Sequence, residues 1–377
     1  MKKMLTTLVF AATLSLTPLS AKDGYVNSDI LISAEEAIKL IGKEGVMFVS
    51  GDSDDIYKLG HIKGSVEMYA HGLQSSDITG KMSCAPLYRC VDDAENYIGS
   101  KGIDNDTLVI AYDDFKGPNA TGVYAFFHSY GHKKVKILNG GRNAIMEIDP
   151  AQIEYDAIRE KMRDHRTAER AASKELKDDE AAISATKKAE LQEIVKTEKA
   201  AQKALAAKLK VVEKDLLVVR GEEVLTPTTY KIDVDKIDLT FIAGKEEVRI
   251  AMEDILKNGK DSKYVIIDSR GMAEIIGDRK MDNVARAGHI PGSTFLEWSK
   301  ISDLKNKMSF KSAEELKEVY EKFGITPDKT VYAYCMVGTG RGSEHIMALK
   351  LLGYENIKVF SGSWNVWGND MNLPLKR

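Results

Sequence analysis

The chain contains a long copy of itself. Gly324-Ile325 lies 222 positions after Gly102-Ile103, and the same offset sets Val331-Tyr332-Ala333-Tyr334 on Val109-Ile110-Ala111-Tyr112, Gly353 on Gly131, Val359 on Ile137 and Gly362 on Gly140 without a gap. Upstream, Gly288-His289-Ile290-Pro291-Gly292-Ser293 follows Gly60-His61-Ile62-Lys63-Gly64-Ser65 at an offset of 228, so the first copy carries a loop longer by six residues. A duplication restricts the fold more than composition does, because one pattern of elements must bury its apolar face twice. The length of 377 residues suits two domains or three, each large enough to bury its own core.

Each copy alternates strand and helix. Tyr264 to Ile267, Val331 to Tyr334 and Ile357 to Phe360 are short apolar runs suited to buried strands. Between them, Ser312 and Glu315 form a capping box opening a helix that Gly324 closes, with Pro327 beyond. This alternation predicts an α/β fold, a mostly parallel sheet flanked by helices in each copy, with ligands at the carboxyl ends of the strands.

The remaining segments set the boundaries. Residues 1 to 21 read as a secretory signal peptide, with Lys2 and Lys3, an apolar stretch from Met4 to Leu16, and Ser20-Ala21 before the expected cut. The mature chain is then expected to be periplasmic or otherwise exported, and no later segment is apolar enough to span a bilayer. The first copy occupies 22–150 and the second 221–377. Residues 151–220 lack Gly and Pro and are rich in Ala, Lys, Glu and Asp, which predicts a helical linker or coiled-coil arm. Leu191, Ile194, Ala201, Leu205 and Val212 approximate a heptad seam interrupted by Glu198. One straight rod of sixty such residues would reach roughly 90 Å, so a hairpin turning near Asp178 to Ser184 is expected. This arm is either a self-association or docking surface or a solvated spacer.

Composition excludes one class of partner. With 54 Lys plus Arg against 57 Asp plus Glu, the net charge of −3 leaves no basic excess for nucleic acid. The three cysteines lack zinc-site spacing, and no cofactor is expected. In an exported chain, Cys84 and Cys90 can pair as a local disulfide, which leaves Cys335.

Cys335 follows the strand Val331 to Tyr334 and precedes Met336-Val337-Gly338-Thr339-Gly340-Arg341, after which a helix begins. A cysteine at such a turn faces backbone N–H groups and the positive end of a helix dipole, both of which favour its thiolate. Gly338 and Gly340 let the loop curl into an anion-binding nest, and Arg341 adds a fixed positive charge. These features predict a nucleophile in a cradle for a small anion.

Taken together, Gly288 to Ser293, Asp268-Ser269-Arg270, Arg286, Cys335 to Arg341 and Gly362-Ser363-Trp364 resemble the rhodanese superfamily. The resemblance implies a tandem-domain sulfurtransferase. Its second copy would move sulfur from thiosulfate or polysulfide through a Cys335 persulfide to a thiol, cyanide or protein acceptor. It makes the loop Met336, Val337, Gly338, Thr339, Gly340 and Arg341 the substrate-binding group, with Arg286 and Arg270 as further candidates for steering the anion or for structural ion pairs. His289 is expected to hold a loop. The five residues between Cys335 and Arg341 are also the spacing of rhodanese-like phosphatases and arsenate reductases, which stays open as an alternative, as does a non-catalytic sulfur carrier. In the first copy Asp113 stands where Cys335 stands in the second, and Asp114 to Ala120 has no arginine, so that copy is expected to be inactive.

Overall fold

The computed structural model describes residues 24–73, 84, 90–178 and 183–377; the expected signal peptide lies outside them. The first copy consists of β1 (Leu31–Ile32), α1 (Ala34–Ala37), β2 (Val46–Ser50), α2 (Asp54–Leu59), β3 (His61–Ile62), β4 (Val66–Glu67), α3 (Val91–Ser100), β5 (Leu108–Tyr112), α4 (Pro118–Ser129), β6 (Val135–Leu138) and α5 (Gly141–Ile148). Its five-stranded sheet has the order β1-β6-β5-β2-β4 and is parallel throughout.

The arm that follows is α6 (Pro150–Asp178) and α7 (Ala185–Val212), then a short strand β7 (Val218–Val219). The second copy runs through β8 (Ile242–Ala243), α8 (Lys245–Asn258), β9 (Tyr264–Asp268), α9 (Met272–Ile275), β10 (Thr294–Phe295), α10 (Ala313–Lys322), β11 (Thr330–Tyr334), α11 (Arg341–Leu351), β12 (Ile357–Phe360) and α12 (Ser363–Asn369). Its sheet order, β10-β9-β11-β12-β8, is that of the first copy read from the other edge, again all parallel. The expected capping box of Ser312 and Glu315 opens α10.

The duplication extends to individual hydrogen bonds. The Tyr112 hydroxyl accepts from Ile62 N–H at 3.1 Å and contacts Ser65 Oγ at 2.7 Å, while the Tyr334 hydroxyl accepts from Ile290 N–H at 3.1 Å and contacts Ser293 Oγ at 3.4 Å. The carbonyl of Asp113 accepts from Arg142 N–H as that of Cys335 accepts from Trp364 N–H.

The copies do not stand apart. Helix α4 is buried from Ala120 to Ser129, as its nearly continuous apolar sequence requires, and packs against α11. The largest apolar core contains residues of both copies, among them Val123, Phe127, Ile346 and Met347.

The arm is an antiparallel hairpin. Glu154 pairs with Lys208 at 2.8 Å, His165 with Glu198 at 2.5 Å and Glu175 with Lys187 at 3.5 Å, partners receding along one helix as they advance along the other. Glu198, which breaks the apolar seam, is therefore occupied by a histidine of the facing helix. At 1.5 Å per residue the 29 residues of α6 reach about 43 Å.

The division at 220/221 is not where the packing changes. Strand β7 pairs antiparallel with β3, Leu217 N–H donates to Asp149, Thr228 N–H donates to Gly99, and Ile232 N–H donates to Glu95. Residues 217–232 thus strap onto the first copy before the chain enters the second. In the opposite direction, Val26 and Asn27 N–H donate to Leu351 of α11, and the Tyr25 hydroxyl donates to Lys311. Cys84 and Cys90 form the disulfide, with Cα atoms 5.4 Å apart, and Cys335 is free.

Candidate active site

Cys335 leaves the end of β11 at the carboxyl edge of the sheet, beside the strand that carries Asp268. Its own N–H donates to Ser363 Oγ at 3.1 Å, and its Sγ accepts from Gly338 N–H at 3.3 Å. The loop beyond is fixed by its neighbours: Met336 and Val337 carbonyls accept from Asn365 and Gly362, and the Gly338 carbonyl accepts from Gly340 and Ser343. Gly338 has φ +101°, and a Cβ there would stand 2.6 Å from the Phe360 carbonyl oxygen, so only glycine turns the amide onto the sulfur. Thr339 is fully buried, while Met336 and Val337 form part of an apolar wall with Phe360 and Trp364.

Arg341 opens α11 and forms a two-pronged pair with Glu274 of α9, at 2.7 and 3.2 Å. Burial pushes the Glu274 carboxyl up, but hydrogen bonding and charge from Arg341 outweigh it and hold the group below its usual range. Arg341 also interacts electrostatically with Cys335. The cradle therefore combines an amide aimed at sulfur with one cation whose charge is shared with a carboxylate.

Two arginines named as substrate-steering candidates hydrogen-bond within the fold. Arg270 is 1% exposed and donates to both oxygens of Asp268, at 2.9 and 2.7 Å, and to the Gly288 carbonyl at 2.8 Å, with its guanidinium over the Trp364 ring. Arg286 donates to the carbonyls of Gly368, Leu373, Trp367 and Asp370 and ties down the C-terminal segment. Their hydrogen bonds run into the fold, which fits the structural one of the two roles expected for them and not the steering of an anion. His289 bonds the Ile275 carbonyl through Nδ1 at 3.0 Å and holds its loop. His345 is buried between the Leu296 carbonyl and Tyr320, and burial pushes it down to about 3.

The first copy builds the same turn and fills it with its own carboxylate. Asp113 accepts from the N–H groups of Gly117, Asn119 and Ala120, so the amides of the loop close on a residue of the chain itself. Burial, then the charges of Asp52 and Asp114, push this carboxyl up to about 7. Asp52 pairs with Arg142 at 2.6 Å.

The copies also meet over the Cys335 loop. A Cβ on Gly122 of α4 would stand 2.9 Å from the Thr339 carbonyl, and Thr121 Oγ1 lies 3.2 Å from Ser343 Oγ. Glu344, fully buried, accepts from Ser302 Oγ at 2.7 Å through one oxygen, while the other has no hydrogen-bond partner among the described residues. Burial, with the charge of Asp113 added, pushes its carboxyl well above the usual range. None of these contacts is marked in either copy by a local motif; the one available signal is Gly122, a glycine inside an apolar helix where close approach is its structural use.

The profile of the rhodanese-like domain matches residues 33–147 and again 251–370. The chain belongs to the rhodanese family. Over 364 residues it is 26% identical to the sulfur carrier protein TtuD of Thermus thermophilus, covering 94% of this chain and 99% of that protein. Over 359 residues it is 25% identical to a protein of Saccharopolyspora erythraea whose proposed name is thiosulfate sulfurtransferase, covering 92% and 96%. Among solved structures, the anaerobic ergothioneine biosynthesis enzyme of Chlorobium limicola, bound to trimethyl histidine, shares the fold with a TM-score of 0.59 at 18% identity, covering 93% of this chain and 71% of that one. This rhodanese chain thus has both copies within the family, with the free cysteine only in the second.

Proposed function

We propose that this rhodanese-type sulfurtransferase takes sulfane sulfur from thiosulfate or a polysulfide onto Cys335 and passes it to a thiophilic acceptor. The observation that carries the reading is the free Cys335 sulfur at 3.3 Å from the Gly338 amide, in the loop that ends on Arg341. As a thiolate, Sγ attacks the outer sulfur of the donor. A bond from Sγ to that sulfur forms as the donor's S–S bond breaks, and the electron pair leaves with sulfite or with a shortened polysulfide. The loop amides and Arg341 stabilise the departing anion. A thiol, sulfite or cyanide then removes the sulfur and returns the thiolate.

Thiosulfate and a phosphate ester are both tetrahedral dianions, so the Arg341–Glu274 pair serves either, and the family match is what favours sulfur transfer. The relatives' names support the same direction. An exported location rests on the leader-like residues 1 to 21, and intact mass of the protein from an exporting host should show their removal.

The test is mass spectrometry after incubation with thiosulfate, polysulfide, aryl phosphate or arsenate. One added sulfur atom on the wild type and none on Cys335→Ser is expected, with sulfite release when cyanide is supplied. Turnover of the phosphate ester or arsenate without sulfur loading would overturn the reading.

A further inference from the structure

The catalytic loop is faced by a residue of the copy that lacks the nucleophile. His71, just beyond β4, lays its imidazole on Gly340: a Cβ there would come within 2.9 Å of Nε2 and 3.3 Å of Cδ2. The absent side chain at Gly340 is what admits the ring. The other nitrogen, Nδ1, is held by the Tyr69 hydroxyl at 3.1 Å, with the two rings 5.2 Å apart. The imidazole is therefore oriented from behind by one hydrogen bond, with Nε2 directed to the loop between Cys335 and Arg341.

The charges around it set its protonation. Burial, then the positive charge of Arg341, push His71 down to about 4, so it is neutral when the cradle holds no anion. Arg341 is in turn paired with Glu274, and Asp52 acts on Tyr69. With Nδ1–H donating to Tyr69, Nε2 is unprotonated where it meets Gly340, and no N–H is turned to a loop that carries the positive charge of Arg341. A persulfide anion on Cys335 adds negative charge beside Arg341 and so offsets part of what opposes protonation of His71. The ring becomes more basic when the enzyme is loaded.

We propose that His71 is the acid–base group of the second half-reaction, relaying the proton of a thiol acceptor to the transferred sulfur. This rests on the persulfide reading above. The acceptor R–SH gives its proton to Nε2 as its sulfur attacks the sulfane sulfur. The R–S to sulfur bond forms, and the bond from that sulfur to Sγ breaks with its electron pair staying on Cys335. The imidazolium delivers the proton to the transferred sulfur. A thiol and a persulfide anion become a neutral acceptor persulfide, R–S–SH, and the Cys335 thiolate, so protons and charge balance and no external oxidant is needed. The inactive copy then serves acceptors that carry a proton, whereas the loading step, in which thiosulfate arrives as an anion, has no proton to move.

The test uses the full chain loaded with thiosulfate and then discharged into 2-mercaptoethanol or into sulfite at pH 8, where sulfite is largely free of a proton and the thiol is not. General acid–base catalysis is worth on the order of a hundredfold or more. His71→Gln is expected to slow discharge to the thiol at least tenfold more than discharge to sulfite, and across a series of thiols the deficit should grow with the thiol's own pKa. Loading to one sulfur per chain shows that the variant is folded; if it does not load, Tyr69→Phe replaces it and should show the same bias in smaller degree. Equal slowing for both acceptors, or a deficit that ignores thiol pKa, overturns the role of His71. A wild type that never loads sulfur overturns the underlying reading instead.

Discussion

Replacing Arg270 by methionine separates a structural arginine from a substrate-binding one. The side chain lies 1% exposed against an Asp268 that is fully buried, and the Arg270→Met change strands that carboxylate. Two charge-assisted hydrogen bonds to Asp268, one bond to the Gly288 carbonyl and the stacking on Trp364 and Tyr334 are lost; Asp268 keeps only the Arg270 N–H and the Tyr334 hydroxyl. Removing one member of a buried pair costs about 3–5 kcal/mol. With a urea slope of about 2 kcal/mol per molar, the midpoint should fall by roughly 1.5–2.5 M. All three tryptophans, Trp298, Trp364 and Trp367, belong to the second copy, so their fluorescence follows that domain. Asp268→Asn combined with Arg270→Met should regain at least about 1 kcal/mol over the single change, because the uncompensated charge is gone. A midpoint shift below about 0.5 M, together with lost loading from thiosulfate, would refute the structural assignment and restore Arg270 to the substrate.

Three further outcomes follow from the site. Gly338→Ala should abolish sulfur loading by mass spectrometry, since its Cβ would press on the Phe360 carbonyl at 2.6 Å and a positive φ disfavours any side chain. Asp113 is raised to about 7 in the folded protein, so its burial penalty should lower stability as pH climbs from about 4 towards 7; Asp113→Asn should raise the urea midpoint at pH 7 and leave it nearly unchanged at pH 4. Thiol titration without reductant should count one reactive sulfur per denatured chain, lost in Cys335→Ser, because Cys84 and Cys90 are joined.

Much of the architecture is legible because a strand's end and a glycine turn are local. Tyr334 and Cys335, Gly338, and the helix after Arg341 all follow from a few consecutive residues, and their counterparts at Tyr112 and Asp113 carry the same backbone bonds. For Arg270 and Arg286 the sequence left two roles open, anion steering and a structural pair, and could not choose between them by local pattern. A charged residue near a candidate anion site reads as a ligand until burial shows which carboxylate or carbonyl has already claimed it. His71, Thr121 and Glu344 carry no motif at all, and Gly122 only its place inside an apolar helix, since their meaning arises from two copies packing together. The arm's hairpin was expected from length, but the strap at 217–232 was not, because two-residue strands such as β7 leave almost no periodic signal.

The crossing of the two ends has its own consequence. Val26 and Asn27 are bonded to the last turn of α11, and 217–232 is bonded to the first copy, so each domain is completed by chain that lies beyond its own boundary. A nick at the tip of the arm would leave one fragment ending in α6 and another beginning near α7, each still holding a grip on the other. Two such pieces, made as separate polypeptides, should find one another and rebuild a working enzyme, which makes the arm a natural place to divide the gene.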